Sequence, residues 1–142
     1  MIVVNDCIFH SIECKYGDVQ LKDDIPNIFA EGGFHPICGH GFWNTMHGYN
    51  TFCKLLGFQT ATTIGSKVAT DVDAMRVGEC RESDTNLTKC STGNCNEMKL
   101  GGACTNHHPS KCMKGSIAIQ KIKCMDGSHE GKGFYSSCVG GW

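Results

Sequence analysis

The sequence predicts a small, disulfide-rich α+β fold in which one main helix, over about residues 44–56, is set among short strands. Three observations predict it. Eleven of the 142 residues are cysteine, and because cytosolic thiols are kept reduced, that density points to an oxidising compartment. Apolar residues recur at helical spacing in one segment, through Met46, Tyr49, Phe52, Cys53 and Leu56. Elsewhere they alternate with polar residues or form short β-branched runs, separated by turns rich in glycine.

In chain order, Ile2-Val3-Val4 is extended and Val19 and Leu21 alternate with polar neighbours, so residues 1–33 read as short strands and loops. Phe34-His35-Pro36-Ile37-Cys38 reads as an edge strand, since proline cannot donate to a central ladder. Gly39, Gly41 and the pair Phe42-Trp43 form a turn into the helix, for which Asn44 is the expected N-cap and Gly57 the C-terminal stop. Gly48 is the one residue inside the helix that argues against it. Thr60-Ala61-Thr62-Thr63-Ile64 and Met75-Arg76-Val77 have strand character. Residues 81–115 are polar and dense in cysteine, which suits irregular chain held by disulfides. Ile117 and Ile119 alternate in one phase and Ile122 and Cys124 in the other, a slip that a bulge near Gln120 and Lys121 would absorb. Residues 125–142 carry Phe134, Tyr135, Cys138 and Trp142 on a glycine-rich backbone too sparse to fold alone. Their aromatics are expected to pack on another copy of the chain, or to fold back on the chain's own sheet with Cys138 bonded to Cys7 or Cys14.

Composition narrows the function. A formal charge of -1 provides no basic field for nucleic acid, although protonating the seven histidines in acidic surroundings would reverse its sign. No apolar run approaches the length of a membrane span or a signal-peptide core, so an export signal, if used, is expected to have been removed or to lie outside this sequence. Structural zinc normally requires close pairs such as C-x-x-C, whereas the nearest cysteines, Cys90 and Cys95, have four residues between them, which favours disulfides. There is no G-x-S-x-G, phosphate loop or H-E-x-x-H, and a Cys-His nucleophile would need a free thiolate that few of these cysteines can supply. The chain is therefore expected to be no enzyme and to need no cofactor. Asn86-Leu87-Thr88 is the single N-glycosylation sequon, in a polar loop where a glycan can stand in solvent.

Six landmarks in order carry a resemblance. They are the strand Gly17-Asp18-Val19-Gln20-Leu21, of the form G-x-V-x-[LV]; Cys38-Gly39-His40-Gly41-Phe42, a cysteine before an aromatic turn; Cys53-Lys54-Leu55-Leu56-Gly57, of the form C-[RK]-x-L-G; the Cys80–Cys90 loop with Leu87; His107 and His108 after Cys104; and a closing strand Ile117 to Cys124. Over roughly residues 14–124 this order resembles the scavenger receptor cysteine-rich (SRCR) family, a secreted module in which a curved antiparallel sheet wraps around one main helix. The sequence departs from it at Phe42, where the family has tryptophan, at the displaced histidines, and in the long stretch between Cys104 and Cys124.

The resemblance implies an SRCR-like domain over 1–124, with an N-terminal extension at 1–13, a cysteine-rich insertion near 91–115 and a tail at 125–142. It implies pairs Cys38–Cys104, Cys53–Cys124 and Cys80–Cys90. Of the cysteines left over, Cys95 is expected to join Cys112 and Cys7 to join Cys14, leaving Cys138 unpaired or bonded to another chain. The family's calcium ligands are not carried over, because the positions that would hold acidic residues are Gly39-His40 and Pro109-Ser110. The implied Cys38–Cys104 bond would instead bring His40 near His107 and His108, a set able to take zinc or copper, although packed or solvated histidines are the plainer reading. The function expected is an extracellular module of recognition or adhesion that binds a protein or a glycan. The alternative is a subunit of an extracellular fibre, assembled with other copies through the tail and the extra cysteines. A secreted cysteine-rich toxin or inhibitor is a third reading.

Overall fold

The computed structural model describes residues 14–38, 42–43, 45–90, 113–115, 117–127, 130–131 and 134–138. The alternation around Val19 and Leu21 forms strand β1 (Val19–Lys22). Asp23 and Asp24, at φ of 53° and 67°, then turn the chain into β2 (Ile25–Ala30). A two-residue loop with both residues at positive φ matches the twist of antiparallel strands. Glu31 and Gly32 repeat the device, at 51° and 83°, before β3 (Gly33–Cys38). The register Val19↔Ile28 and Leu21↔Pro26 sets one face of these hairpins toward the core. Val19, Leu21, Ile28 and Ile37 are fully buried on it.

Past Pro36, β3 takes a parallel neighbour, β5 (Met75–Arg76), through Ile37↔Met75 and Cys38↔Arg76. Its first four residues pair on one side only among the described strands, as suits the proline. On the opposite side, β8 (Phe134–Ser136) pairs antiparallel with β1 and completes the order β5-β3-β2-β1-β8. A second sheet, order β4-β6-β7, is formed by β4 (Thr60–Ala69), β6 (Ile117–Met125) and β7 (Glu130–Gly131). The sheet implied by the resemblance is thus divided in two, with one parallel pair.

The phase slip in β6 has its counterpart across the ladder. Pairing passes from Ile64↔Lys121 to Val68↔Ile119, so the extra residues bulge out of β4 opposite Gln120. Gln120 is nearly buried, and its Nε2 donates to the carbonyls of Ile64 (3.2 Å), Gly65 (3.1 Å) and Lys121 (3.1 Å). Below this level Ile122 and Cys124 face the core; at its far end Ile117, expected to face inward with Ile119, is exposed.

Helix α1 (His47–Leu55) begins three residues later than expected, after Met46, with Thr45 Oγ1 accepting from the His47 amide at 3.3 Å. The expected cap, Asn44, lies outside the described residues. Gly57 ends the helix as expected, at φ 95° with its N–H on the Lys54 carbonyl. The buried face, Gly48, Thr51, Phe52 and Cys53, packs on β4 and β6, whereas Met46 at the head of the expected stripe is exposed. Phe42, Phe52, Met75, Leu87 and Ile122 meet the inner face of β1–β3 in one core, each stabilising the fold by about 2 kcal/mol through burial.

The stretch expected to be a tail contributes to both sheets. β7 extends β6, β8 extends β1, and the Tyr135 ring stands edge-on to Phe58 at 5.2 Å. Three residues and one aromatic contact would not hold a strand by themselves; the pairing with β1 supplies the hydrogen bonds that the isolated sequence lacks.

Candidate functional site

The cysteines define the frame on which any site is carried. Cys53 and Cys124 are bonded in the centre of the core, Cα atoms 5.4 Å apart and neither exposed, tying α1 to β6. Cys80 and Cys90 close a polar loop, Cα atoms 4.3 Å apart. Both pairs are those the resemblance implies. Two expectations are corrected: Cys14 is bonded to Cys138, not to Cys7, and Cys138 is therefore neither unpaired nor joined to another chain. The reason lies in the strand pairing, which brings distant segments within bonding reach, Cα atoms 5.3 Å apart. Val19 donates to Ser137 Oγ and Ser137 donates back to the Val19 carbonyl, both at 2.9 Å, so Cys138 follows β8 directly to Cys14. Cys38 is also disulfide-bonded. The remaining cysteine positions, Cys7, Cys95, Cys104 and Cys112, lie outside the described residues, as do His40, His107 and His108.

All seven described cysteines are thus oxidised, and no thiolate is available among the described residues for nucleophilic chemistry or metal binding. One cluster has a metal-like arrangement: an oxygen of Asp18 and the sulfurs of Cys14 and Cys138 lie within 4.8 Å of one another. Its sulfurs are bonded to each other, and the Asp18 carboxylate already accepts from the Lys15 amide at 2.8 Å, closing the turn that leads to Cys14. A chelator such as EDTA is accordingly expected to leave the melting temperature of the oxidised protein unchanged; a fall of several degrees in a thermal melt would mean that metal, not sulfur, holds this corner.

The face of the five-stranded sheet opposite the main core, where Cys38 packs with Ala74 and Ile119, is unusually polar for its burial. Register places Gln20, Asn27, Pro36, Cys38 and Arg76 on it, and Gln20, Asn27 and Arg76 are buried. Burial pushes the Arg76 guanidinium below its ordinary pKa. Asn27 Nδ2 donates to the Ile25 carbonyl at 2.9 Å.

Among the described residues, four of the exposed large apolar side chains lie near the far end of β4 and β6, while Tyr16, Met46 and Phe134 are exposed elsewhere. Val68 and Val72 flank Thr70, whose hydroxyl donates to the Met113 carbonyl at 3.1 Å and whose carbonyl accepts from Gly115 at 2.9 Å. Asp73 accepts from the Lys114 amide at 2.9 Å, and Ala69 pairs with Ile117. These bonds hold Val68, Val72, Met113 and Ile117 together at one end, with exposures of 38%, 49%, 50% and 72%. Single exposed apolar residues are normal in folded proteins, but four on segments bonded to one another at one end are a surface suited to a partner. Sequence reasoning missed this end because an isoleucine in an alternating run reads as core. Lys67 and Lys114 lie beside these residues in the chain, both exposed.

Asn86 stands at the surface in the Cys80–Cys90 loop, where it caps a short 3₁₀ turn (Leu87–Lys89). Its Oδ1 accepts from the amide and the hydroxyl of Thr88, each at 3.0 Å.

Among the described residues no helix is long and apolar enough to cross a membrane. No protein-family model matches the chain, and no curated protein and no solved structure is significantly similar to it.

Proposed function

We propose that the chain is an extracellular, non-enzymatic module of recognition or adhesion, similar in plan to the scavenger receptor cysteine-rich family, which binds a protein or glycan at the end carrying Val68, Val72, Met113 and Ile117. The observation that carries the reading is the contrast between frame and surface. The described cysteines are locked in disulfides around a core that joins both sheets to the helix, while four apolar side chains stand out at one end. An apolar end held on a disulfide-locked scaffold costs little ordering entropy on binding. The bridges Cys53–Cys124 and Cys80–Cys90, in the places the family resemblance implies, lend it support.

The test is to screen oxidised, purified protein against cell-surface proteins and a panel of glycans, and to compare it with a Val72→Asp, Met113→Asp, Ile117→Asp variant. Because these side chains are exposed, the variant should melt with the native protein and bind at least ~10-fold more weakly, since a few buried anchors dominate interface energy. Equal binding by both proteins would move the ligand site elsewhere. Size-exclusion chromatography is expected to show a monomer with or without reductant; large assemblies that reductant disperses would favour the fibre subunit.

A further inference from the structure

We propose that Asn86 carries an N-linked glycan and that the sugar is attached before the Cys80–Cys90 loop closes; the proposal rests on the reading of the chain as exported. Three features of the folded site accept a sugar. Asn86 is exposed, and its Nδ2 donates to none of the described residues. Both bonds that fix its side chain are accepted by Oδ1, the atom that glycosylation leaves untouched. The floor beneath it is Gly17, at φ 96°, where an added Cβ would stand 3.3 Å from Oδ1, 3.8 Å from Nδ2 and 3.1 Å from Thr88 Cγ2. The turn under the amide is therefore bare backbone.

In the transfer, Nδ2 attacks the anomeric carbon of a lipid-linked oligosaccharide pyrophosphate. A C–N bond forms, the bond from that carbon to the pyrophosphate oxygen breaks, and the lipid pyrophosphate leaves with the electron pair. The amide gives up one of its two protons to the surrounding water. It keeps the other, and Oδ1 still accepts from both Thr88 donors, so the 3₁₀ turn survives the modification.

The same geometry makes the folded loop a poor acceptor. The Thr88 hydroxyl is engaged on Oδ1, Leu87 between them is 1% exposed within the core, and the disulfide holds the segment in a closed loop. An enzyme that reads both Asn and Thr must draw this segment out of its turn and take Leu87 from the core, which lowers the population of competent chains by roughly thirtyfold. Attachment therefore belongs to the unfolded or reduced chain.

The full chain, placed behind a signal peptide in secretory eukaryotic cells, is read by mass before and after N-glycosidase on lumenal and secreted material alike. The native chain is expected to lose one glycan and to gain Asp at position 86. Asn86→Asp keeps an oxygen that can cap Thr88 but lacks the acceptor amide, and should be secreted with no change on digestion. In a second arm, full chain made in a non-glycosylating host is incubated with oligosaccharyltransferase and lipid-linked oligosaccharide, oxidised or reduced. The reduced chain should be modified and the oxidised one scarcely at all. A native chain without glycan overturns the site while leaving the recognition reading intact, and equal modification of oxidised and reduced chain overturns the order of events. Loss of ligand binding by a protein that does carry the glycan would count against the recognition reading alone.

Discussion

Replacing Cys53 and Cys124 together by alanine is expected to lower the stability of the domain by about 4 kcal/mol, the loop-closure entropy of a bridge spanning about 70 residues. The bridge restrains the unfolded chain over that span, and its two half-cystines also belong to the buried core, so the substitution loosens packing as well as connectivity. A domain of this size has only about 5–15 kcal/mol to lose, so the doubly substituted chain should unfold at far lower denaturant and populate open forms at physiological temperature. Equilibrium unfolding in guanidinium, with the midpoint and slope fitted separately, checks this. A midpoint within error of the native protein would show that the bridge adds nothing beyond the contacts between α1 and β6.

Gly48→Ala should also destabilise the protein, against what helix propensity alone suggests. In a free helix the change gains about 1 kcal/mol. Here an added Cβ would stand 2.8 Å from two ring carbons of Phe42 and 3.0 Å from its backbone oxygen. Phe42 is fully buried and edge-on to Trp43 at 4.6 Å, so its ring has little room to move aside. Overpacking of this kind costs about 1–3 kcal/mol, and the backbone contact removes the cheapest relaxation. The net loss expected is up to about 2 kcal/mol, read as a lower melting temperature. Paired Phe42→Leu and Gly48→Ala changes should interact favourably in a double-mutant cycle, because the smaller side chain admits the methyl group.

The sequence made Gly48 look like a flaw in the helix, and only the ring above it explains the residue. This is the general pattern. Local signals were readable: the stripe through Tyr49, Phe52 and Cys53, the stop at Gly57, the alternation at Val19 and Leu21, and the change of phase between Ile119 and Ile122. Each repeats within a few residues, and burial against one partner surface dictates it. The Asp23-Asp24 turn was less visible, since aspartate is only one of several residues that tolerate positive φ. β7 and β8 were not readable, because strands of two and three residues take their stability from the strands they pair with. The same holds for Cys14, where two cysteines offered themselves as partners and sheet pairing made the choice. β4 was read only as far as Ile64 because beyond it the strand is exposed, and Gln120 holds it in place of apolar packing. The candidate binding end lay hidden for the converse reason: Ile117 and Val68 have the residue types of a core while standing in solvent.

The Cys14–Cys138 bond also gives the domain a mechanical character. Tension entering the chain before residue 14 and leaving it after residue 138 crosses from one side to the other through a single covalent link, with Cα atoms 5.3 Å apart. The strands, the helix and the core lie outside that load path. A module built this way does not lengthen when pulled, and the end carrying Val68, Val72, Met113 and Ile117 keeps its shape under shear. Only reduction of that one bond transfers the load to β1 and β8, whose short ladder would then be the first part of the fold to yield.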